Sequence, residues 1–376
     1  APKSGLPSWA VVVLVALGGA GLAWAWFNFT APGPLTQKKV VQLPKAADRA
    51  AIAVALLDQG VISDARIFSG AAALNAYRNA KLKPGEYEFP AGVSMEDVLS
   101  MMSRGAFLTY KVTFPEGWTS QMMVNRLSEQ EEMDGEVAQV PAEGTLLPET
   151  YVVTRGYPRE KLLSEMAAAQ TKLLDQEWSR LPPDSVVTTK NELVTLASIV
   201  EKETGIAEER PLVASVFINR LKQHIRLQSD PTVIYGLVGG KGKLDHPLTR
   251  VELDAPTPYN TYTIDGLPPG PIANPGKAAI EAVLNPANAN YLYFVADGSG
   301  GHAFSTTLEE HNANVKKWRA LNGEADPPAQ PAAPVTPPAQ DVVSPTAAVP
   351  AADANAQTGT VSPRKIPIPK LKKPKP

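Results

Sequence analysis

The sequence reads as an α+β protein: one apolar helix able to span a membrane, a small mixed α/β unit, a larger mainly helical domain with short β segments, and a tail without a core. Three observations carry that reading. Trp9 to Phe29 holds no charged side chain over 21 positions, close to the ~20 residues a helix needs to cross hydrocarbon. Between about Lys39 and Glu324, apolar residues recur at helical spacing in several segments, separated by short strand-like runs and Gly/Pro turns. From Pro327 to Pro376, 13 of the 36 prolines fall in 50 residues that hold no aromatic side chain, too little apolar material to bury a core.

Composition narrows the function classes before any motif does. The 376 residues carry 36 basic and 38 acidic side chains, a net charge of −2, without the basic surplus that nucleic-acid binding needs. There is no cysteine, so disulfides, thiolate metal sites and a Cys nucleophile are excluded. The four histidines, His224, His246, His302 and His311, include no pair at the i, i+4 spacing of a helical zinc motif, and no metal or cofactor is expected.

Trp9, Trp24 and Trp26 flank the apolar run as an interfacial belt would, and the run is read as a membrane anchor. A cleaved signal peptide is the competing reading, since Ala23-Trp24-Ala25 mimics a cleavage site. The apolar stretch nevertheless continues through Trp26 and Phe27, past the length of a signal core. Lys3 precedes the run and Lys38 and Lys39 follow it closely, so the positive-inside rule leaves the side of the body open.

After a linker at residues 30–38 with Pro32, Gly33 and Pro34 as breakers, the first unit spans 39–105. Val40 to Leu43 is a strand candidate. Asp48 to Gln59 is a helix with Ile52, Leu56 and Leu57 on one face, stopped by Gly60. A second helix runs from about Asp64 to Arg78, Lys83-Pro84-Gly85 turns into a strand at Glu86 to Phe89, and Ser94 caps a third helix.

The larger unit, 106–324, opens with a strand at Tyr110 to Phe114 and the loop Pro115-Glu116-Gly117-Trp118. Helices are expected over Ser120 to Glu129, Arg159 to Arg180, Lys190 to Glu203 and Glu208 to Gln223. A Gly/Pro-rich stretch from Asp254 to Gly276 then leads to a helix near Lys277 to Leu284, a strand at Tyr291 to Ala296, a turn at Asp297 to Gly301, and a last helix ending at Leu321. Residues 325–376 form the Pro/Ala-rich tail with a basic end.

The segment Leu193 to Glu203 carries the chemistry. Stepping about 100° per residue from Leu193 puts Glu201 at about 80° and Glu203 at about 280°, both inside the apolar arc, while Lys202, Thr195 and Ser198 face solvent. Burying an unpaired carboxylate raises its pKa, which is what a general acid working near neutral pH needs. The alternative is structural: each Glu pairs with an arginine such as Arg210, Arg220 or Arg226. Two further stretches, Arg226 to Gly236 and Thr257 to Ile272, place amides, hydroxyls and tyrosine rings on stiff backbone, as a sugar cleft requires.

Four ordered motifs then identify a family. Ala197-Ser198-Ile199-Val200-Glu201-Lys202-Glu203-Thr204, the run Leu227-Gln228-Ser229-Asp230-Pro231-Thr232-Val233-Ile234-Tyr235-Gly236, the block Tyr259-Asn260-Thr261-Tyr262 to Gly266-Leu267-Pro268-Pro269-Gly270-Pro271-Ile272, and Tyr291-Leu292-Tyr293-Phe294-Val295-Ala296 with Gly301-His302 and His311-Asn312 together closely resemble the endolytic murein transglycosylases, the YceG-like family. The resemblance covers about Val40 to Leu321. It implies an inner-membrane anchor with residues 1–8 cytoplasmic, 9–29 spanning and the body in the periplasm, a LysM-like first unit, and a lytic-transglycosylase-like catalytic domain. Peptidoglycan glycan strands are the implied substrate, and cell-wall synthases are candidate partners.

In that resemblance the catalytic glutamate matches Glu201, and Glu203 and Glu149 stand with the candidate substrate-binding residues. Gln228, Ser229, Asp230, Asn260 and Tyr262 fall on the cleft motifs. Glu149, in Leu147-Pro148-Glu149-Thr150-Tyr151, stands where the family often has Asp. A lytic transglycosylase needs one carboxylate and leaves a 1,6-anhydro-N-acetylmuramic acid end. Two other readings stay open: a hydrolytic muramidase using Glu201 with Asp230 or Glu203, and a non-catalytic glycan-binding scaffold for cell-wall synthases.

Overall fold

A computed structural model describes residues 7–44, 47–77 and 81–322; the Pro-rich tail lies outside the described residues. The apolar run forms one helix, α1 (Ser8–Thr30), without a buried side chain, and it is long and apolar enough to cross a membrane.

The first unit is β1 (Lys39–Gln42), α2 (Arg49–Asp58), α3 (Ala65–Tyr77), β2 (Glu86–Phe89) and α4 (Met95–Arg104). β1 and β2 pair antiparallel with Lys39 opposite Phe89 and Gln42 opposite Glu86. Asp48 and Ser94 cap α2 and α4 by accepting from Ala51 N and Asp97 N, the local satisfaction of orphan amides that their residue types favour. On α2 the buried face is Ile52, Ala53 and Leu56, whereas Leu57 is 40% exposed. Ile52 and Leu56 thus hold the expected face, and Ala53 takes the buried place expected for Leu57.

The larger unit holds two hydrophobic cores. One gathers Val112, Phe114, Met123, Leu127, Leu146 and Met166. It lies among β3 (Thr109–Thr113), α5 (Ser120–Ser128), the short β4 (Met133–Asp134), β5 (Thr150–Thr154), β6 (Tyr157–Pro158) and the start of α6 (Arg159–Trp178). β3 and β5 pair antiparallel, Thr109 opposite Thr154, and β4 and β6 pair in parallel. β5 was not expected, although its Thr-Tyr-Val-Val-Thr run has strong strand propensity.

The other core is helical and surrounds α7 (Lys190–Glu203). α7 packs against α8 (Arg210–Lys222) and α11 (Lys277–Leu284), with α9 (Asp230–Val238) and α10 (Arg250–Asp254) on the connection between them. A hairpin of β7 (Tyr293–Ala296) and β8 (His302–Ser305) and the final α12 (Leu308–Asn322) close the unit. α9 begins in the stretch Arg226 to Gly236, for which the sequence predicts no helix. Pro231 lies in its first turn, where a missing N–H costs no helical hydrogen bond.

α7 starts at a capping box in which Thr189 and Glu192 satisfy each other's backbone amides. Leu193 through Val200 are all buried, which overturns the solvent-facing position expected for Thr195 and Ser198. Their hydroxyls remain satisfied inside the core: Thr195 Oγ1 donates to Asn191 O at 2.7 Å. Ser198 Oγ donates to Thr195 O at 2.7 Å and accepts from Ile272 N at 3.0 Å. Lys202 is exposed, as expected.

Candidate active site at the C-terminal end of α7

The last turn of α7 presents two carboxylates to two different surroundings. Glu201 faces the loop 115–118 and the loop 272–276. Gly276 N donates to its Oε2 at 3.0 Å, Arg210 lies 3.5 Å from its Oε1, and only 5% of its side chain is exposed. Glu116 shares the same arginine at 3.6 Å. A Cβ on Gly276 would come within 1.8 Å of Glu116 Oε1, so a larger residue there would push the Glu116 side chain out of its present place. Burial raises the pKa of Glu201, and the Glu116 charge adds to it; the Gly276 amide, Arg210 and Lys202 pull it back. The arginine pairing that the sequence left open for these glutamates is thus realised at Glu201 with Arg210.

Glu203 looks the other way, toward the start of α9. Ser229 Oγ donates to Glu203 Oε1 at 2.5 Å, and Tyr262 Oη donates to the neighbouring Asp230 Oδ1 at 2.6 Å. No hydrogen bond from a described residue reaches Glu203 Oε2. Burial, reinforced by the charge of Asp230, pushes the Glu203 carboxyl from its ordinary 4.5 up to about 7; the Ser229 hydroxyl and the charges of His302 and Arg220 act against that rise. The Tyr262 phenol is likewise raised, by burial first and by its bond to Asp230 second.

Arg220 braces this side. It is 7% exposed, and it donates to Leu292 O, Arg226 O and Leu227 O and to Gln228 Oε1 at 3.2 Å. Its guanidinium also lies 5.2 Å from the ring centroid of Tyr293, which stacks on His311. Gln228 adopts φ 55, and its backbone N–H is tied to Thr261 O at 3.1 Å. That left-handed turn aims Ser229 inward while Asp230 stays exposed.

Of the residues singled out in the sequence, Glu203, Gln228, Ser229, Asp230 and Tyr262 are therefore brought together, with Glu201 one face away. Asn260 is not available to a ligand. It is fully buried, and its amide donates to the carbonyls of Glu252, Leu253 and Ala255 while its Oδ1 accepts from Tyr262 N. Its work is to fix the backbone that carries Tyr262. Glu149 is exposed at the head of β5, and no contact links its carboxylate to either α7 glutamate.

Two residues that matter were not read from the sequence. Glu143 Oε1 accepts from Ser120 N at 2.8 Å and from Asn274 Nδ2 at 3.0 Å, and burial raises its pKa. Asn274 spans 154 positions to reach Ser120, so no local pattern could have signalled the pair. The turn carrying Glu143 lies against α7 itself: a Cβ on Gly144, which has φ +77, would fall 2.7 Å from Val194 Cγ1.

A carboxyl that is protonated when folded and ionised when unfolded costs stability as pH rises. Below about 4.5 the Glu203 carboxyl is neutral in both states and adds nothing. Between 4.5 and about 7 the unfolded chain ionises first, so the folded state loses up to about 3 kcal/mol. Glu203→Gln is accordingly expected to raise the unfolding midpoint at pH 8 and leave it nearly unchanged at pH 4. Equal shifts at both values would refute the raised carboxyl.

Comparison with known proteins agrees with the motif resemblance. The model of the YceG-like family matches residues 41–317. An endolytic murein transglycosylase of Streptococcus pneumoniae is 30% identical over 323 residues, covering 73% of this chain and 57% of that protein. An endolytic murein transglycosylase of Bacillus subtilis is 39% identical over 185 residues, covering 49% of this chain and 50% of that one. The chain thus spans between half and three-fifths of the length of the curated relatives it matches. A crystal structure of a yceG-like protein from Listeria monocytogenes aligns at 32% identity with a TM-score of 0.48, covering 74% of this chain and 98% of that one. On the extent of the family match and the identity to these relatives, the chain belongs to the YceG-like family.

Proposed function

We propose that the chain is a lytic transglycosylase that cleaves peptidoglycan glycan strands between N-acetylmuramic acid and N-acetylglucosamine, with Glu203 as its acid/base. The activity itself draws on the family and on relatives named endolytic murein transglycosylase. The assignment to Glu203 rests on one observation. It is the α7 carboxyl with a raised pKa near neutrality, an unbonded oxygen, and the Ser229, Asp230 and Tyr262 side chains around it.

Protonated Glu203 gives its proton to the glycosidic oxygen as the C1–O bond breaks. The Ser229 hydroxyl, holding Oε1, fixes which oxygen is presented. The resulting carboxylate then takes the proton of the muramic acid 6-hydroxyl as that oxygen closes onto C1, which forms the 1,6-anhydro ring and returns Glu203 to its starting state. No water is consumed. Asp230, exposed and bonded to Tyr262, offers negative charge where oxocarbenium-like charge would develop, and the Tyr262 ring offers an aromatic face for a sugar.

The second reading keeps the acid role expected for Glu201, whose carboxyl is also raised by burial. Against it stand the Arg210 contact and the Gly276 hydrogen bond, which hold both of its oxygens. The β-α-α-β unit, read as LysM-like, supplies a second contact with the glycan. α1 holds the chain in the inner membrane with the body in the periplasm, and cell-wall synthases are its candidate partners.

Mass spectrometry of products from purified sacculi tests the reaction class: every new muramic end is expected to be lighter than a hydrolysed end by one water. Reducing N-acetylmuramic acid ends from the wild-type chain would establish a hydrolase instead. The same assay run across pH is expected to hold its rate up to about 7 and fall beyond it, as Glu203 loses its proton before the reaction begins.

A further inference from the structure

The last turns of α1 are not free of the body. Leu22, Ala25, Trp26 and Phe29, spaced as one helical stripe, form one wall of a cavity of about 760 Å³ whose other wall is α3 and α4, within the ~300–1,000 Å³ of ligand clefts. Phe29 also packs against the core of the β-α-α-β unit.

The depth of this cavity follows from helix geometry. The apolar run from Trp9 to Phe29 is about 31 Å long at ~1.5 Å per residue, the thickness of the hydrocarbon core. Leu22 lies about 10 Å along the axis from Phe29. With the run filling the core, the α1 wall begins at the membrane boundary and continues toward the acyl region, so the cleft lies within reach of lipid.

Its chemistry fits that setting. Ile67, Gly70, Ala71, Leu74 and Leu99 supply apolar wall. Two of the polar groups among them are spent internally: Asn75 Nδ2 donates to Ser103 Oγ at 2.7 Å, and Ser103 Oγ donates to Leu99 O. Leu74 is 74% exposed and Tyr77 91% exposed, an apolar edge that water disfavours and a bilayer interface accepts. Arg66, Arg104 and Glu96 border the cleft and are exposed. Neither guanidinium is in an ion pair among the described residues, so two free cations stand against one carboxylate.

We propose that this cleft binds an anionic glycerophospholipid, with an acyl chain between α1 and α3 and the phosphate on Arg66 and Arg104. The proposal rests on the reading of α1 as a membrane anchor. It gives the β-α-α-β unit a fixed seat on the membrane surface, beyond any contact it makes with glycan.

Native mass spectrometry of the full chain from detergent, with phosphatidylglycerol or phosphatidylcholine added, tests it. One phosphatidylglycerol is expected to be retained per chain, preferred by about 5-fold per guanidinium. Arg66→Gln with Arg104→Gln is expected to erase that preference. Gly70→Phe is expected to abolish retention by filling the cleft. Nothing lies within 4 Å of a Cβ at Gly70, so its unfolding midpoint should match wild type and a loss of retention is not a loss of fold. Wild type that retains no lipid, or Gly70→Phe that retains as much, overturns the site. A chain that alkaline carbonate strips from membranes overturns it together with the anchor, and the two failures are thereby told apart.

Discussion

Glu203→Gln is expected to lower glycan cleavage by ~10²–10⁴-fold, the cost of removing a general acid/base, while folding and glycan binding persist. The amide keeps the size of the side chain and can still accept the Ser229 hydroxyl, but it can neither donate to the glycosidic oxygen nor take the proton of the 6-hydroxyl. Glu201→Gln is the necessary comparison. Its amide oxygen can still accept from Gly276 N, and the loss is confined to a contact with Arg210 at 3.5 Å. Activity should then fall by no more than about tenfold, equivalent to one interaction of ~1.4 kcal/mol. The reverse order, with Glu201→Gln inactive and Glu203→Gln near wild type, would return the acid role to Glu201. Asp230→Asn separates the remaining mechanism: a hydrolase needing Asp230 as a second carboxylate would lose its chemistry, whereas the one-carboxylate reaction would slow and still release 1,6-anhydro ends.

The contrast between these glutamates shows what a sequence can and cannot reveal here. Periodicity in α7 correctly turned both carboxylates away from solvent and left Lys202 exposed. It could not rank them, because α7 is buried all round from Leu193 to Val200 and an angle on a fully enclosed helix carries no polarity. What distinguishes Glu201 from Glu203 is supplied by chain 75 and 26 positions away, at Gly276 and Ser229. Thr195 and Ser198 misled for a related reason: a hydroxyl that bonds within its own helix is as compatible with a core as a methyl group.

The Ser94 cap was legible because its physics is local: the side chain satisfies Asp97 N, three residues on. Asp48 and the Thr189/Glu192 box act over the same short range, although only the helices they start were expected. The cleft motifs were legible as a set and not residue by residue. Ser229 meets Glu203, Tyr262 meets Asp230 and Gln228 meets Arg220, whereas Asn260 spends its amide on three carbonyls of its own loop region. Burial decides between those roles, and neither composition nor spacing reports it.

Asn274→Ala is expected to destabilise the chain by about 2–4 kcal/mol. Asn274 is fully buried. Its Oδ1 accepts from Leu146 N at 2.9 Å, and its Nδ2 donates to Trp118 O, Ser120 Oγ and Glu143 Oε1 at 3.0–3.1 Å. Truncation strands the Leu146 amide and removes one of the donors that hold Glu143, at ~1–3 kcal/mol for each group left buried and unpaired. The loss is partial because Ser120 N still reaches Glu143 and Asn274 N still reaches Trp118 O. Asn274 O also anchors Gly117 N at 3.0 Å, on the loop that carries Glu116, and Asn274 lies two residues before Gly276, which bonds Glu201, so loosening here should relax the Glu116–Arg210–Glu201 cluster. Denaturant unfolding of the purified chain gives the number directly. A change under about 0.5 kcal/mol, the scale of an ordinary surface substitution, would show that water replaces the amide and that the two loops are held by backbone contacts alone.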